Sequence, residues 1–204
     1  HGYVLDDISV ISENRYVNSG VDGIGQIWTT SYRDGYWNDS GTLYRPIALT
    51  IFAIEWQLAP NNPFLAHLIN VLLYGFLCLL FYKLLLALFK KAQLALMATL
   101  FFCATAIHTE VVANIKSLDE ILSMLLAMLS WYFVLKWQES QKMQQLIIAG
   151  LCFMIGMFTK EGIISFIAII PASFWFFRNE KLKAVFTSMA VLLGAAISYI
   201  AVRA

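Results

Sequence analysis

The sequence predicts an all-α polytopic membrane protein. Three observations carry this. Hydrophobic residues make up 60% of the 204 and charged residues only 13%, against roughly 45–50% and 25% in a soluble domain. After Pro63 the apolar residues come in runs near the length of a bilayer crossing. The charged stretches between those runs sort by sign onto alternate sides. The same composition excludes a soluble enzyme and a disordered chain. A net charge of +1 lacks the concentrated basic face of a nucleic-acid binder, so no nucleic-acid partner is expected. Four prolines exclude a Pro-rich linker. Cys78, Cys103 and Cys152 each lie in an apolar run and read as small hydrophobes, not as a disulfide framework.

Residues 1–62 are mixed and turn-rich, with Asn18-Ser19-Gly20, Asp22-Gly23, Asp34-Gly35 and Asn38-Asp39-Ser40-Gly41 as turn signals. They read as a long loop domain. Ile24, Ile27 and Trp28 form a short helical stripe that fits an interfacial helix and an ordinary packed loop helix equally well. Pro46–Leu58 reads as a helix with Pro at its start. At roughly 20 Å it is too short to cross and is expected at the interface. Asn61-Asn62-Pro63 starts the first span and Lys90-Lys91 ends it.

A crossing needs about 20 mostly apolar residues. The candidates are Phe64–Leu88, Ala92–Ile107, Ile121–Trp137, Leu146–Phe158, Ile163–Phe177 and Ala184–Val202. They form a bundle over 63–204, and the chain is expected to be a fragment, incomplete at both ends.

Alternation assigns the sides. Lys83, Lys90, Lys91, Lys136, Lys142, Arg178, Lys181 and Lys183 fall on one, with only Glu139 and Glu180. The other eleven acids fall opposite. The positive-inside rule makes the basic side cytoplasmic, so residues 1–62 are expected to be extracytoplasmic.

Every polar cluster with chemical potential then shares the extracytoplasmic face. Asp6-Asp7 suits a general base with a partner, a divalent-metal pair, or a plain helix N-cap. His67 and Asn70 are one helical turn apart. His108-Thr109-Glu110 suits an acid–base or metal element, or a polar helix boundary. Lys116 and Lys160 suit a lipid phosphate, or ion pairs with Asp119, Glu120 and Glu161. Arg45, between Tyr44 and Pro46, has the same two readings. Asn38-Asp39-Ser40 is a glycosylation-type triplet. The tryptophans and tyrosines fit interface belts. Ionisable groups at membrane depth are costly and tend to be paired or functional, so these clusters predict one polar pocket at the outer boundary.

The order Leu5-Asp6-Asp7, Tyr44-Arg45-Pro46, Asn61-Asn62-Pro63-Phe64, His67-Leu68-Ile69-Asn70, Ile107-His108-Thr109-Glu110, Lys116-Ser117-Leu118-Asp119-Glu120 and Thr159-Lys160-Glu161-Gly162 resembles the transmembrane-and-TPR-repeat O-mannosyltransferases and their bacterial relatives. That resemblance implies a GT-C-like helix bundle whose long first loop carries the catalytic Asp, here Asp6 or Asp7, with His108 and Glu110 in the catalytic set. Lys116, Lys160 and Arg45 would bind the donor phosphate. His67, Asn70, Asp119, Glu120 and Glu161 would support them.

The implied donor is a polyprenyl (dolichyl or undecaprenyl) phosphate sugar, typically mannose, transferred with inversion to a protein or lipid hydroxyl. The implied location is the endoplasmic reticulum or bacterial inner membrane, with the site facing away from the cytosol. No cofactor or metal site is assigned, although a divalent metal fits the chemistry. TPR repeats would follow the membrane part. The chain departs from the pattern at Thr105-Ala106, where His-Pro is usual, and at Leu118, where Arg is usual. The alternative class is a non-catalytic membrane scaffold or transporter component. A transporter would show midplane ionisable groups and an internal repeat, and neither is visible.

Overall fold

The regular elements of the computed structural model are helical throughout its described residues, 2–38, 41–178 and 182–203. Asp39 and Ser40 of the glycosylation-type triplet, and Glu180 and Lys181 of the charge sort, lie outside them.

The N-terminal stretch is a string of single turns. A π-helical turn spans Ile8–Ser12. Helix α1 (Arg15–Asn18) follows, capped by the Asn14 carboxamide oxygen, which accepts from the Tyr16 and Val17 N–H groups. Such a cap satisfies donors that the first turn otherwise leaves orphaned. A 3-10 turn, Gly20–Gly23, leads to α2 (Ile24–Ile27), and then comes α3 (Asp34–Trp37). Gly23 is required: a Cβ there would overlap the Tyr16 carbonyl. Helix α4 (Pro46–Leu58) has Pro at its start and the expected bounds.

The long helices follow as α5 (Pro63–Phe89), α6 (Ala92–Cys103), α7 (Ile107–Ala113), α8 (Leu118–Ser140), α9 (Met143–Thr159), α10 (Phe166–Arg178) and α11 (Leu182–Arg203). Two 3-10 turns, Ile115–Ser117 and Glu161–Ser165, precede α8 and α10. Asn62 Oδ1 accepts from the Phe64 N–H at the start of α5. Lys90 closes α5 and Gln141 closes α8, both in the left-handed conformation (φ 55° and 54°) that commonly ends helices.

The chain divides into two compact units. The first comprises the residues up to Tyr74 together with Ala106–Leu122 and Phe158–Lys160. Its core is Val10, Ile11, Val17, Ile27, Tyr32, Leu49, Phe52, Ala66, Ile115 and Leu118, all buried. Ile27 is fully buried in that core, whereas Trp28 of the same stripe is 40% exposed.

The second unit comprises Gly75–Thr105, Ser123–Met157 and Glu161 onward. Trp131 on α8 donates its indole N–H to Ser173 Oγ on α10 at 3.0 Å. A Cβ on Gly156 of α9 would sit 3.2 Å from Leu126 Cβ on α8, the close approach that small residues permit between membrane helices. Phe76, Leu79, Phe101, Phe186 and Ile197 are exposed. Apolar side chains all round a helix fit a lipid solvent.

Among the described residues, four segments are long and apolar enough to cross a membrane: Pro63–Phe89, Ile115–Ser140, Glu161–Arg178 and Lys183–Arg203. Two expected spans come out differently. Ala92–Ile107 is not one helix, because α6 and α7 meet at a 66° bend. The Thr105 N–H bonds the Phe102 carbonyl three residues back, which ends the helical ladder there. The segment expected at Leu146–Phe158 is the continuous 17-residue α9, about 25 Å long and at the lower limit for a crossing.

Candidate functional site

The site belongs to the first unit and begins at a tight turn. Leu5 adopts a left-handed backbone (φ 49°), which is uncommon for a residue with a branched side chain. The turn lets Asp7 Oδ2 accept the Val4 N–H at 3.1 Å, while Oδ1 accepts the Lys116 N–H at 2.8 Å, 109 positions away. Asp7 is 1% exposed. Burial pushes its carboxyl above the usual aspartate range, and the two N–H bonds and the field of His67 oppose that shift. The N-cap reading of Asp7 fails, since its side chain caps nothing. Asp6 diverges from it: the residue is exposed and pairs with Arg33 at 3.4 Å.

Helix α5 sets the other wall. Asn70 is fully buried and donates Nδ2–H to the Asn114 and Ile115 carbonyls at 3.0 and 3.3 Å. This holds the turn that presents the Lys116 N–H to Asp7. His67 lies one turn earlier on the same face, and its Nε2 is buried without a hydrogen-bond partner among the described residues.

From Lys116 the network runs to the first turn of α8. Asp119 has a side chain 0% exposed, ringed by three cations: Arg45 Nη1 at 3.0 Å, Lys160 Nζ at 3.6 Å and Lys116 Nζ at 3.7 Å. Both lysine side chains are only 15% exposed. Glu120 is more open and meets Lys160 in a close ion pair. Arg45 also lies over the ring of Tyr32, 5.3 Å from its centroid. The ion-pair reading of Lys116, Lys160 and Arg45 is therefore realised, but as one shared cluster rather than as private pairs.

Leu118 is fully buried in the apolar core. The cations around Asp119 come from Arg45, Lys116 and Lys160, not from the neighbouring position.

His108, Glu110 and Glu161 complete the candidate set. His108 Nδ1 lies 2.8 Å from the Tyr74 hydroxyl. Glu110 is exposed on α7. Glu161 belongs to the second unit.

Two groups escaped sequence reasoning. Glu55 is buried on α4, and burial pushes its carboxyl up to about 7. Tyr3 is raised by burial, then by the carboxylates of Glu55 and Asp7. The only signal for Glu55 was an acid inside an otherwise apolar 13-residue helix.

The arrangement holds a carboxylate of raised pKa on the backbone N–H of Lys116, whose ammonium joins that of Lys160 at Asp119. A carboxylate in that state suits deprotonation of a hydroxyl, and the lysines suit a phosphate.

Residues 45–203 match the family model described as dolichyl-phosphate-mannose-protein mannosyltransferase. The chain is similar to human protein O-mannosyl-transferase TMTC1, with 32% identity over 63% of this chain and 15% of the relative. It is similar to Drosophila melanogaster protein O-mannosyl-transferase Tmtc2, at 27% over 95% of this chain and 22% of the relative, and to human protein O-mannosyl-transferase TMTC2, at 25% over 78% and 20%. The chain thus spans about a fifth or less of the length of these relatives. No solved structure matches it.

Proposed function

The chain belongs to the dolichyl-phosphate-mannose-protein mannosyltransferase family, and from that premise we propose that the protein it represents is an integral membrane glycosyltransferase. It moves mannose from a polyprenyl-phosphate donor to a protein Ser or Thr hydroxyl on the extracytoplasmic face. The relatives' names, protein O-mannosyl-transferase, support the acceptor class. The charge sort supports the side, with residues 1–62 extracytoplasmic and the bundle at 63–204.

In this reading Asp7 accepts the proton of the acceptor hydroxyl. The hydroxyl oxygen bonds to the anomeric carbon as that carbon's bond to the phosphate oxygen breaks, and the configuration inverts. The polyprenyl phosphate leaves with the bonding electron pair. Lys116 and Lys160 offset its charge, and Arg45 holds Asp119 so that the lysines stay in place. Positioning and preorganised charge supply much of the rate in such transfers.

The observation that carries the proposal is the bond from the Lys116 N–H to Asp7 Oδ1. It ties the base to the residue whose ammonium reaches the Asp119 cluster.

The test is sugar transfer by the full-length protein in membranes, with radiolabelled polyprenyl-phosphate mannose and Ser/Thr acceptor peptides. Wild-type protein should transfer label to the peptide. Absence of transfer by the intact protein would point to the scaffold class instead.

A further inference from the structure

Three helix ends of the second unit converge on one cavity. Lys83 and Lys90 come from the end of α5, Lys136 from the end of α8, and Arg178 from the last residue of α10. With Tyr132 and Glu139 they line an open cavity of about 390 Å³. Four cations thus surround one carboxylate. Glu139 is already shared, 3.0 Å from Arg178 Nη2 and 3.7 Å from Lys136 Nζ. Lys83 and Lys90 are exposed and have no carboxylate in ion-pair range among the described residues.

Arg178 is the built part of the cavity. Its side chain is 12% exposed, and Nη2 donates to the Ala87 carbonyl at 2.7 Å, so α5 and α10 fix the guanidinium. Its Nε is buried and has no hydrogen-bond partner among the described residues. A buried N–H left unsatisfied is costly, and here it lines a cavity rich in positive charge.

We propose that this cavity binds the phosphate of an anionic phospholipid headgroup. Each of the three helices ends a segment that meets the length and hydropathy of a membrane crossing, so the cations stand at one bilayer boundary. The adjoining turn of α10 exposes Trp175, Phe176 and Phe177, side chains that favour the headgroup region of a membrane. A second cavity of about 400 Å³ shares Lys90 and Arg178 and is walled by Leu88, Phe89 and Phe177. Its exposed lining is mainly polar, so the lipid's polar glycerol region can continue into it. Basic pockets between membrane helices recognise phospholipid headgroups through such a combination. A free phosphate would use the same cations but gain nothing from the aromatic rim.

Full-length protein in neutral detergent is mixed with equal amounts of dioleoylphosphatidylglycerol and dioleoylphosphatidylcholine, and retained lipid is counted by native mass spectrometry. The expected result is preferential retention of phosphatidylglycerol. Retention should fall at least about tenfold in the Lys83→Gln/Lys90→Gln double variant, since each lysine near a lipid phosphate is worth about 1 kcal/mol. Both lysines are exposed at a helix end, and an unchanged gel-filtration profile and circular dichroism spectrum confirm that the variant folds. Equal retention of the two lipids, or wild-type retention by the folded variant, overturns the proposal. A third arm adds inorganic phosphate at the phosphatidylglycerol concentration. No displacement supports a lipid site, and full displacement overturns it in favour of a free anion. Sugar transfer is not a readout, so this test and that of the proposed activity fail independently.

Discussion

Asp6 and Asp7 are neighbours in sequence and opposites in environment. Asp6 shares an exposed ion pair with Arg33, and exposed pairs contribute roughly 0–1 kcal/mol. Asp7 is buried and held by two backbone N–H groups. Asp7→Asn in the full-length protein should therefore lower transfer by about 10²–10⁴-fold, the span of a lost general base. Asp6→Asn should leave transfer within about threefold. Equal effects of the two would remove Asp7 from the mechanism. Because burial raises the Asp7 pKa, transfer should climb with pH through an ionisation above the ordinary aspartate range.

Glu55 gives a stability prediction with the opposite pH trend. Its folded pKa of about 7 lies above the ordinary glutamate value of 4.5, so the folded state holds the proton more tightly. Folding is then favoured at low pH, and stability is lost as pH rises from 4.5 to 7. The loss approaches about 3 kcal/mol. Glu55→Gln should raise the melting temperature in detergent at pH 8 and change it little at pH 5. A pH-independent difference between the two proteins would show that Glu55 does not titrate in the fold.

Among the elements, the turn Ile115–Ser117 matters most, because it carries the N–H that Asp7 accepts. It cannot hold that position alone, being three residues long, and Asn70 on α5 fixes it through the Asn114 and Ile115 carbonyls. Asn70→Ala should cost about 1–2 kcal/mol of stability and lower transfer about tenfold through misplacement. Asn70→Leu keeps the size without the donor and should behave like the Ala variant. Wild-type melting and transfer in both would make the hold dispensable.

The elements differ in how openly they announce themselves. Helix α4 was legible to the residue because Pro46 pre-sets the first turn and Ala59 and Pro60 follow its last residue. Helix α5 was legible through Asn62-Pro63 and Lys90. The break between α6 and α7 was not, because Thr105 is an ordinary residue in an apolar run.

The whole molecule tests the proposed topology. Asp22→Cys and Lys142→Cys, in protein whose native cysteines are replaced, should react with an impermeant maleimide on opposite sides of sealed vesicles. Labelling from the same side would reverse the charge-sort assignment for one of the two loops.

Composition and the spacing of charges determined the class of this protein without its coordinates. A chain with so few charges and such long apolar runs has no stable aqueous fold, and its order of polar motifs reads directly as a family resemblance. Those properties are local and additive, so they survive in one dimension. The tertiary structure decided which charges cooperate. Asp7, Asn70, Asp119 and Lys160 are separated by dozens of residues, and nothing in their neighbours tells that Asp7 turns inward while Asp6 does not. Nor does local sequence tell that Leu118 lies in the core while Arg45 reaches Asp119. Burial and field fall off within a few ångströms, so they depend on which segments meet in space rather than on which residues are adjacent in the chain.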